Sequence, residues 1–220
     1  MKHIALFGAG KSSHALINYL VENAVQNDWS ISIGDLDTSH LERRLKASSQ
    51  IQFFKFDIQD VNTLIPYVER ADIAISMVPA MYHLSLAKLC LQYKKHLITP
   101  SYISDEMQSL HEEAKVNGLI FLNEMGLDPG IDHMSAMRII HEIQSRQATV
   151  ISFKSYCGGM IAPTSDNNPW NYKFTWNPRN VVLAGQGKGG IKYLSKGSYK
   201  YIPYYNLFKH SKSIAVGNYG

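Results

Sequence analysis

Three short stretches carry the residue types from which a reaction can be built. NEMGLDPGIDH, from Asn123 to His133, sets two aspartates and a histidine around a Gly-Leu-Asp-Pro-Gly turn. Thr99-Pro100-Ser101-Tyr102 offers two hydroxyls and a phenol. SYCGGMIAPTSDNNPWNYKFTW, from Ser155 to Trp176, places one thiol, Cys157, among glycines, prolines, an Asp-Asn-Asn run and several aromatic rings. Asp128, Tyr102 and Cys157 are the ionisable groups suited to moving protons. Each also has a plainer role. An aspartate before a proline at a helix start is a common N-cap, and a lone cysteine is commonly a packed thiol. Metal binding is not expected, because no further His or Cys stands at ligand spacing from Asp128, Asp132 and His133. Asp166-Asn167-Asn168 lacks the glycine and glutamate that complete a calcium loop. Gly185–Gly190, GQGKGG, resembles a phosphate loop but is followed by no clear helix, so it reads as the approach to a hairpin.

A different chemistry opens the chain. Met1–Ser13 reads as a strand, then Gly8-Ala9-Gly10-Lys11-Ser12-Ser13, then a helix. This is G-x-G-x-x-S, with serine in the third small position. Gly8 permits the tight turn, Gly10 lets a pyrophosphate approach the backbone, and the helix start, with Lys11 and Ser12, presents N–H groups to it. An acid at the end of the next strand, Asp35, suits the adenosine ribose hydroxyls and repels a 2′-phosphate. No arginine stands at 35–37, so NAD is favoured over NADP. Capping of the following helix is the alternative for Asp35. Asp57 and Ile58 follow the third strand, towards the adenine edge, and helix capping competes there too. Val78 follows the fourth strand, where backbone lines a dinucleotide.

These residues need a frame. Apolar runs at 4–7, 31–33, 51–54, 73–78, 96–98 and 119–122 read as short buried strands, separated by helical patterns near 12–26, 38–47, 60–70, 81–94 and 104–117. That alternation predicts an α/β fold: a Rossmann-type, doubly wound parallel sheet. A longer helix is expected at 131–146. From about 149 the texture changes. TVISFKSYC reads as a strand, and Gly197 would turn a hairpin between two Tyr-rich strands. We therefore expect a dinucleotide-binding domain over 1–128 and the beginning of a mixed α+β substrate and dimerisation domain over 129–220.

Bulk properties narrow the partners. The 220 residues carry a net charge of +4, unevenly spread: residues 1–166 total −4 and residues 167–220 total +8. The basic block suits a polycarboxylate metabolite or nucleic acid, unless acids elsewhere compensate. MKHIALFG is too short for a secretory signal, no run reaches membrane-span length, and Cys90 and Cys157 stand in unlike contexts. A cytoplasmic setting without a membrane partner is the expectation. The closing SIAVGNYG stops in mid-pattern, as in part of a longer protein.

Taken together, KKHLITPSYIS, NEMGLDPGIDH and SYCGGMIAPTSDNNPWNYKFTWNPR resemble saccharopine reductase, the glutamate-forming saccharopine dehydrogenase, in order and spacing from Gly8 to about Arg179. The resemblance implies oxidation of the secondary amine of saccharopine by NAD(P), giving glutamate and 2-aminoadipate 6-semialdehyde. It implies that Ser101, Tyr102, Asp128 and Arg179 meet the substrate. Thr99, Pro100, Leu127, Pro129 and Asn177 would lie by the cofactor, and Trp170, Tyr172, Phe174 and Trp176 would anchor an active-site wall. It implies no nucleic-acid partner, and a homodimer through the second domain is compatible with it. Fungal members carry a basic residue in the segment matching Asp35-Leu36-Asp37 and use NADP; this chain has acids there. Two alternatives stay open: a relative acting on another carboxylated amine, as in carboxynorspermidine-type enzymes, and a non-catalytic dinucleotide-binding module.

Overall fold

The structure, a computed structural model, describes residues 1–45, 48–159, 161–174, 178–184 and 190–211. Contacts divide it into two units, Met1–Gly158 and Gly159–Gly220. This division falls beyond the longest helix, later than the 128/129 boundary expected from texture.

In the first unit the apolar runs become six parallel strands: β1 (Lys2–Phe7), β2 (Trp29–Asp35), β3 (Ile51–Lys55), β4 (Ile73–Ser76), β5 (His96–Ile98) and β6 (Phe121–Leu122). Their order is β3-β2-β1-β4-β5-β6. Helices α1 (His14–Asn23), α2 (Ser39–Arg44), α3 (Ile65–Arg70), α4 (His83–Gln92), α5 (Asp105–Gln108), α6 (His111–Val116) and α7 (Ile131–Ser145) connect or follow them. Strands buried on both faces lack polar alternation, which is why they read as continuous apolar runs. β1 shows it directly. Ile4 and Leu6 point into one core with Ile17, Leu20, Ile31, Ile33 and Leu41. Ala5 and Phe7 point into the other with Phe54, Val68, Leu86 and Leu97. The order reverses between β1 and β4, and ligands of open α/β sheets bind at the strand carboxyl ends beside that reversal.

Two cysteines are free. Cys90 is buried, and loss of water pushes its thiol up to about 12, so it is a packed apolar group. Cys157 is exposed.

TVISFKSYC, expected as a strand, forms none. Residues 148–159 have no ladder partner among the described residues, and Ile151 is 96% and Phe153 57% exposed. A β-favouring sequence becomes a strand only when a neighbour accepts its hydrogen bonds.

The second unit holds α8 (Pro178–Ala184), β7 (Gly190–Ser195), β8 (Ser198–Pro203) and α9 (Leu207–His210). β7 and β8 pair antiparallel. Lys196 and Gly197 both take positive φ, 50° and 74°, as a two-residue type I′ turn requires.

No helix of the described residues is long and apolar enough to cross a membrane.

Candidate active site

The glycine turn sits at the sheet reversal. Gly8 N–H donates to the Gly34 carbonyl at 2.9 Å, and Met77 N–H donates to the Phe7 carbonyl at 2.7 Å. Gly8 adopts φ +102°, and a Cβ there would lie 2.7 Å from the Met77 carbonyl carbon and oxygen. Only glycine fits between this turn and β4. At Gly10 a Cβ would meet nothing within 4 Å, so the backbone faces open space. Ser13, 1% exposed, donates its hydroxyl to the Gly10 carbonyl at 2.7 Å and lets α1 start tight against the strand. A short 3-10 turn over Lys11–Ser13 precedes α1, so the α-helix begins two residues later than the pattern suggested. Gly10, Lys11 and Ser12 are exposed beside it.

Asp35 ends β2 and grips the same turn. Its carboxylate accepts the Ala9 N–H at 2.5 Å and the Leu36 N–H at 2.7 Å. The cap of the next loop falls instead to Asp37, which accepts the Ser39 N–H at 3.0 Å and its hydroxyl at 2.6 Å. Those bonds hold the Asp37 carboxyl below its usual range. Open backbone at Gly10, a helix start and a carboxylate at the β2 end fit a dinucleotide's pyrophosphate and ribose.

A second group gathers at the carboxyl ends of β5 and β6. The two following loops are stitched together. Glu124 N–H donates to the Ser101 carbonyl at 3.0 Å, and Met125 N–H to the Thr99 carbonyl at 3.1 Å. The Glu124 side chain accepts the Ile103 N–H at 3.3 Å. The Tyr102 hydroxyl donates to the Asp128 carbonyl at 3.4 Å. Cys157 lies close enough to Asp128 and Tyr102 for their charges to act on one another. Asp128, Tyr102 and Cys157, scattered in sequence, thus meet in the first unit. Loss of water and then the neighbouring Asp128 raise the Cys157 thiol, which keeps its proton at neutral pH. Tyr102 is raised by loss of water and then by Asp128, Glu124 and Cys157. A raised thiol is a poor nucleophile, and a raised phenol remains a donor.

Asp128 does not cap α7. Gly130 holds the N-cap position, and Asp132 accepts the Gly130 N–H at 3.0 Å. Asp132 also pairs with His133 at 2.7 Å, and this bond raises the His133 imidazole.

Behind this surface lies His83, which opens the helix after the fourth strand and matches a histidine position of the resembled family, with packing on the cofactor side as its plainer role; the sequence did not show its two hydroxyl partners. Ser76, at the end of β4, meets His83 Nδ1 at 2.7 Å, and His83 Nε2 meets Ser101 Oγ at 2.8 Å. His83 is 4% exposed, and loss of water lowers its imidazole from 6.5 to about 4. The unfolded chain therefore binds a proton here that the folded chain refuses between about pH 6.5 and 4. Stability from this group is full above pH 6.5 and is lost as pH falls through that window, at up to about 1.4 kcal/mol per pH unit. Chemical denaturation at a series of pH values should show this slope, and His83→Asn should remove about one proton's worth of it. The visible signal was a serine ending the apolar run IAIS, with a histidine soon after it.

The remaining expected residues fall as follows. Val78 is 8% exposed, so its side chain is core and its backbone alone is available; Thr99 is 1% exposed. Pro100 and Pro129 are half-buried, and Leu127 is 65% exposed. Asp57 accepts the Gln59 N–H at 2.9 Å, a turn contact, and Ile58 packs against the core. Arg179 lies in the first turn of α8 in the second unit, and Asn177 and Trp176 lie outside the described residues. The Asp-Asn-Asn run does bond within its own loop: Asn171 donates to Asp166, and Asn168 donates to the Tyr172 carbonyl at 3.0 Å. Trp170 is not an anchor. It is 84% exposed, held out by a turn in which Asn168 accepts its N–H. Tyr172 and Phe174 pack edge to face at 5.6 Å.

Comparison with known proteins divides the chain earlier than the contacts do, between residues 122 and 126. Residues 4–122 match the family model for the saccharopine dehydrogenase NADP binding domain, and residues 126–219 match that for the saccharopine dehydrogenase C-terminal domain. The chain is 39% identical over 193 residues to an alpha-aminoadipic semialdehyde synthase of Arabidopsis thaliana, covering 88% of this chain and 18% of that protein. It is 36% identical over 184 residues to the NADP(+), L-glutamate-forming saccharopine dehydrogenase of Schizosaccharomyces pombe, covering 84% of this chain and 40% of the relative. The apo structure of the L-Glu-forming enzyme from Saccharomyces cerevisiae superposes with a TM-score of 0.78 at 30% identity, over 99% of this chain and 47% of that one. The chain thus spans less than half the length of these relatives. Residues 4–122 form a nicotinamide-dinucleotide-binding domain, and the chain belongs to the saccharopine dehydrogenase family.

Proposed function

We propose that this chain supplies the dinucleotide seat and the proton-handling groups of a glutamate-forming saccharopine dehydrogenase. The observation that carries the reading is the meeting of Tyr102, Asp128 and Cys157 at the carboxyl ends of β5 and β6, on the sheet that bears the glycine turn. Gly8, Gly10, Lys11 and Ser12 would hold the pyrophosphate and Asp35 the adenosine ribose. Asp57 and Ile58 would lie towards the adenine, and Val78, Thr99, Pro100, Leu127, Pro129 and Asn177 along the nicotinamide half. Ser101, Tyr102, Asp128 and Arg179 would contact saccharopine. The bound dinucleotide supplies a hydride acceptor.

The chain's own task is to manage protons. The secondary ammonium of saccharopine must lose a proton before its neighbouring carbon can give up hydride. Water then adds to the resulting imine, and the C–N bond breaks to release glutamate and the semialdehyde. Asp128, a carboxylate beside a thiol that keeps its proton, is placed to accept the ammonium proton. Tyr102, held protonated, is a donor towards the added oxygen or the departing nitrogen. Cys157 steers the Asp128 carboxylate and forms no covalent bond.

The choice between the two dinucleotides follows Asp35. The fission yeast relative is named for NADP(+), and so is the matching family model, which counts towards NADP. A carboxylate at the end of β2, bonded to the turn through Ala9 N–H, supports NAD for this chain, because a 2′-phosphate would be brought against it.

The test is saccharopine-dependent formation of reduced nicotinamide by this chain, with NAD and NADP compared. Asp128→Asn should lower turnover about 100-fold, the lower end of a general acid–base contribution, with dinucleotide affinity unchanged. An Asp128→Asn variant within about threefold of the parent would remove Asp128 from the proton path. Tight dinucleotide binding with no saccharopine oxidation would favour a non-catalytic module instead.

A further inference from the structure

We propose that His83 is a positioning residue that clamps the Ser101 hydroxyl and fixes the direction in which that hydroxyl offers its hydrogen bond to the substrate. The clamp has three members from three elements. Ser76 ends β4 and is fully buried, His83 opens α4 and is 4% exposed, and Ser101 follows β5 and is half-buried. Each ring nitrogen has one hydroxyl partner, at 2.7 Å to Ser76 and 2.8 Å to Ser101. Burial lowers this imidazole, so the ring is neutral at neutral pH.

A neutral imidazole carries one proton, so its two nitrogens cannot behave alike. One donates and the other accepts. The hydroxyl facing the donor nitrogen is free to donate outward; the one facing the acceptor nitrogen spends its proton inward. The tautomer of His83 therefore decides whether Ser101 meets a ligand as donor or as acceptor. A rotatable serine hydroxyl becomes a directional one. The Ser101 carbonyl is also fixed, by Glu124 N–H, so backbone and side chain of this residue are held from opposite sides. A merely structural histidine needs only its bond to buried Ser76, which ties α4 to β4. The second bond reaches forward to the loop that carries Tyr102.

The inference rests on the saccharopine reading for its kinetic arm only. Two substitutions separate the two bonds. Asparagine at 83 can replace Nδ1 towards Ser76, and glutamine can replace Nε2 towards Ser101. We expect His83→Gln to keep KM for saccharopine within about threefold of the parent, and His83→Asn to raise it about tenfold, the scale of one hydrogen bond. In both, kcat and dinucleotide Kd should stay within about threefold. Equal KM effects in the two variants overturn the proposal. The structural arm needs no substrate. In the chain labelled with nitrogen-15 at histidine, Ser101→Ala should shift the Nε2 resonance of His83 and leave Nδ1 in place, with the ring in one neutral tautomer. An unmoved Nε2 resonance, or an averaged pair of tautomers, overturns the clamp. If the parent chain fails to oxidise saccharopine while the nitrogen shifts behave as expected, the functional reading fails and the clamp stands.

Discussion

Replacing Gly8 with alanine is expected to cripple both the fold and the dinucleotide site. Two costs combine. The residue sits at φ +102°, a conformation that side-chain-bearing residues resist, and the new methyl would lie 2.7 Å from the Met77 carbonyl and 2.9 Å from Val78 N. Both are backbone atoms of the segment leaving β4, which cannot swing aside as a side-chain tip can. Strain and overpacking together should cost about 2–4 kcal/mol. For a chain of this size that lowers the melting midpoint by roughly 5–15 °C. Because the same segment sets the turn against the sheet, dinucleotide Kd should rise about 100-fold or more, equivalent to at least about 2.7 kcal/mol. Gly10→Ala is the control. Gly10 has φ −68°, and its added methyl meets nothing within 4 Å. Its melting should match the parent, while its methyl stands where a pyrophosphate would approach and weakens binding alone. Equal melting of the Gly8 and Gly10 variants would show that the turn is not wedged against β4 as described.

The second large effect is on cofactor choice. The Asp35→Ala/Leu36→Arg double variant should move the ratio of kcat/KM for NAD over NADP about 100-fold towards NADP. Removing the carboxylate takes away a repulsion of about 1–2 kcal/mol near the surface, and a guanidinium adds a charge-assisted contact of similar size. Leu36 is 69% exposed, so the arginine needs no repacking. Asp35→Ala alone should weaken NAD, since the Ala9 N–H and the ribose hydroxyls lose one acceptor together. A parent that already prefers NADP, as the name of the fission yeast relative suggests for that protein, or a double variant with unchanged preference, would take Asp35 out of the selection. Lys55 is paired in register with Asp35 on the neighbouring strand and would then be the first cation to examine.

The sequence alone determined the sheet, because its strands are buried on both faces and declare themselves as continuous apolar runs between helical patterns. It also determined the glycine turn and the Lys196-Gly197 hairpin, since positive φ and close backbone approach restrict the residue type directly. It placed Tyr102 and Asp128 at strand carboxyl ends, a consequence of chain direction in any doubly wound sheet. The tertiary structure decided the rest. Whether Asp128 caps α7 or faces Cys157 depends on atoms that are 29 residues apart in the chain. Local pattern cannot report such a distance, and the cap went to Gly130 with Asp132 beside it. The TVISFKSYC run has strand-forming side chains but no neighbour among the described residues to pair with, and pairing is a property of the fold rather than of the run. His83 is the sharpest case. As a letter it is one imidazole at a helix start; its neutrality and its two hydroxyl partners exist because β4, α4 and the loop after β5 converge and exclude water there. Hydrogen-bond direction and proton affinity arise from what surrounds a group, and surroundings are assembled only when distant segments meet.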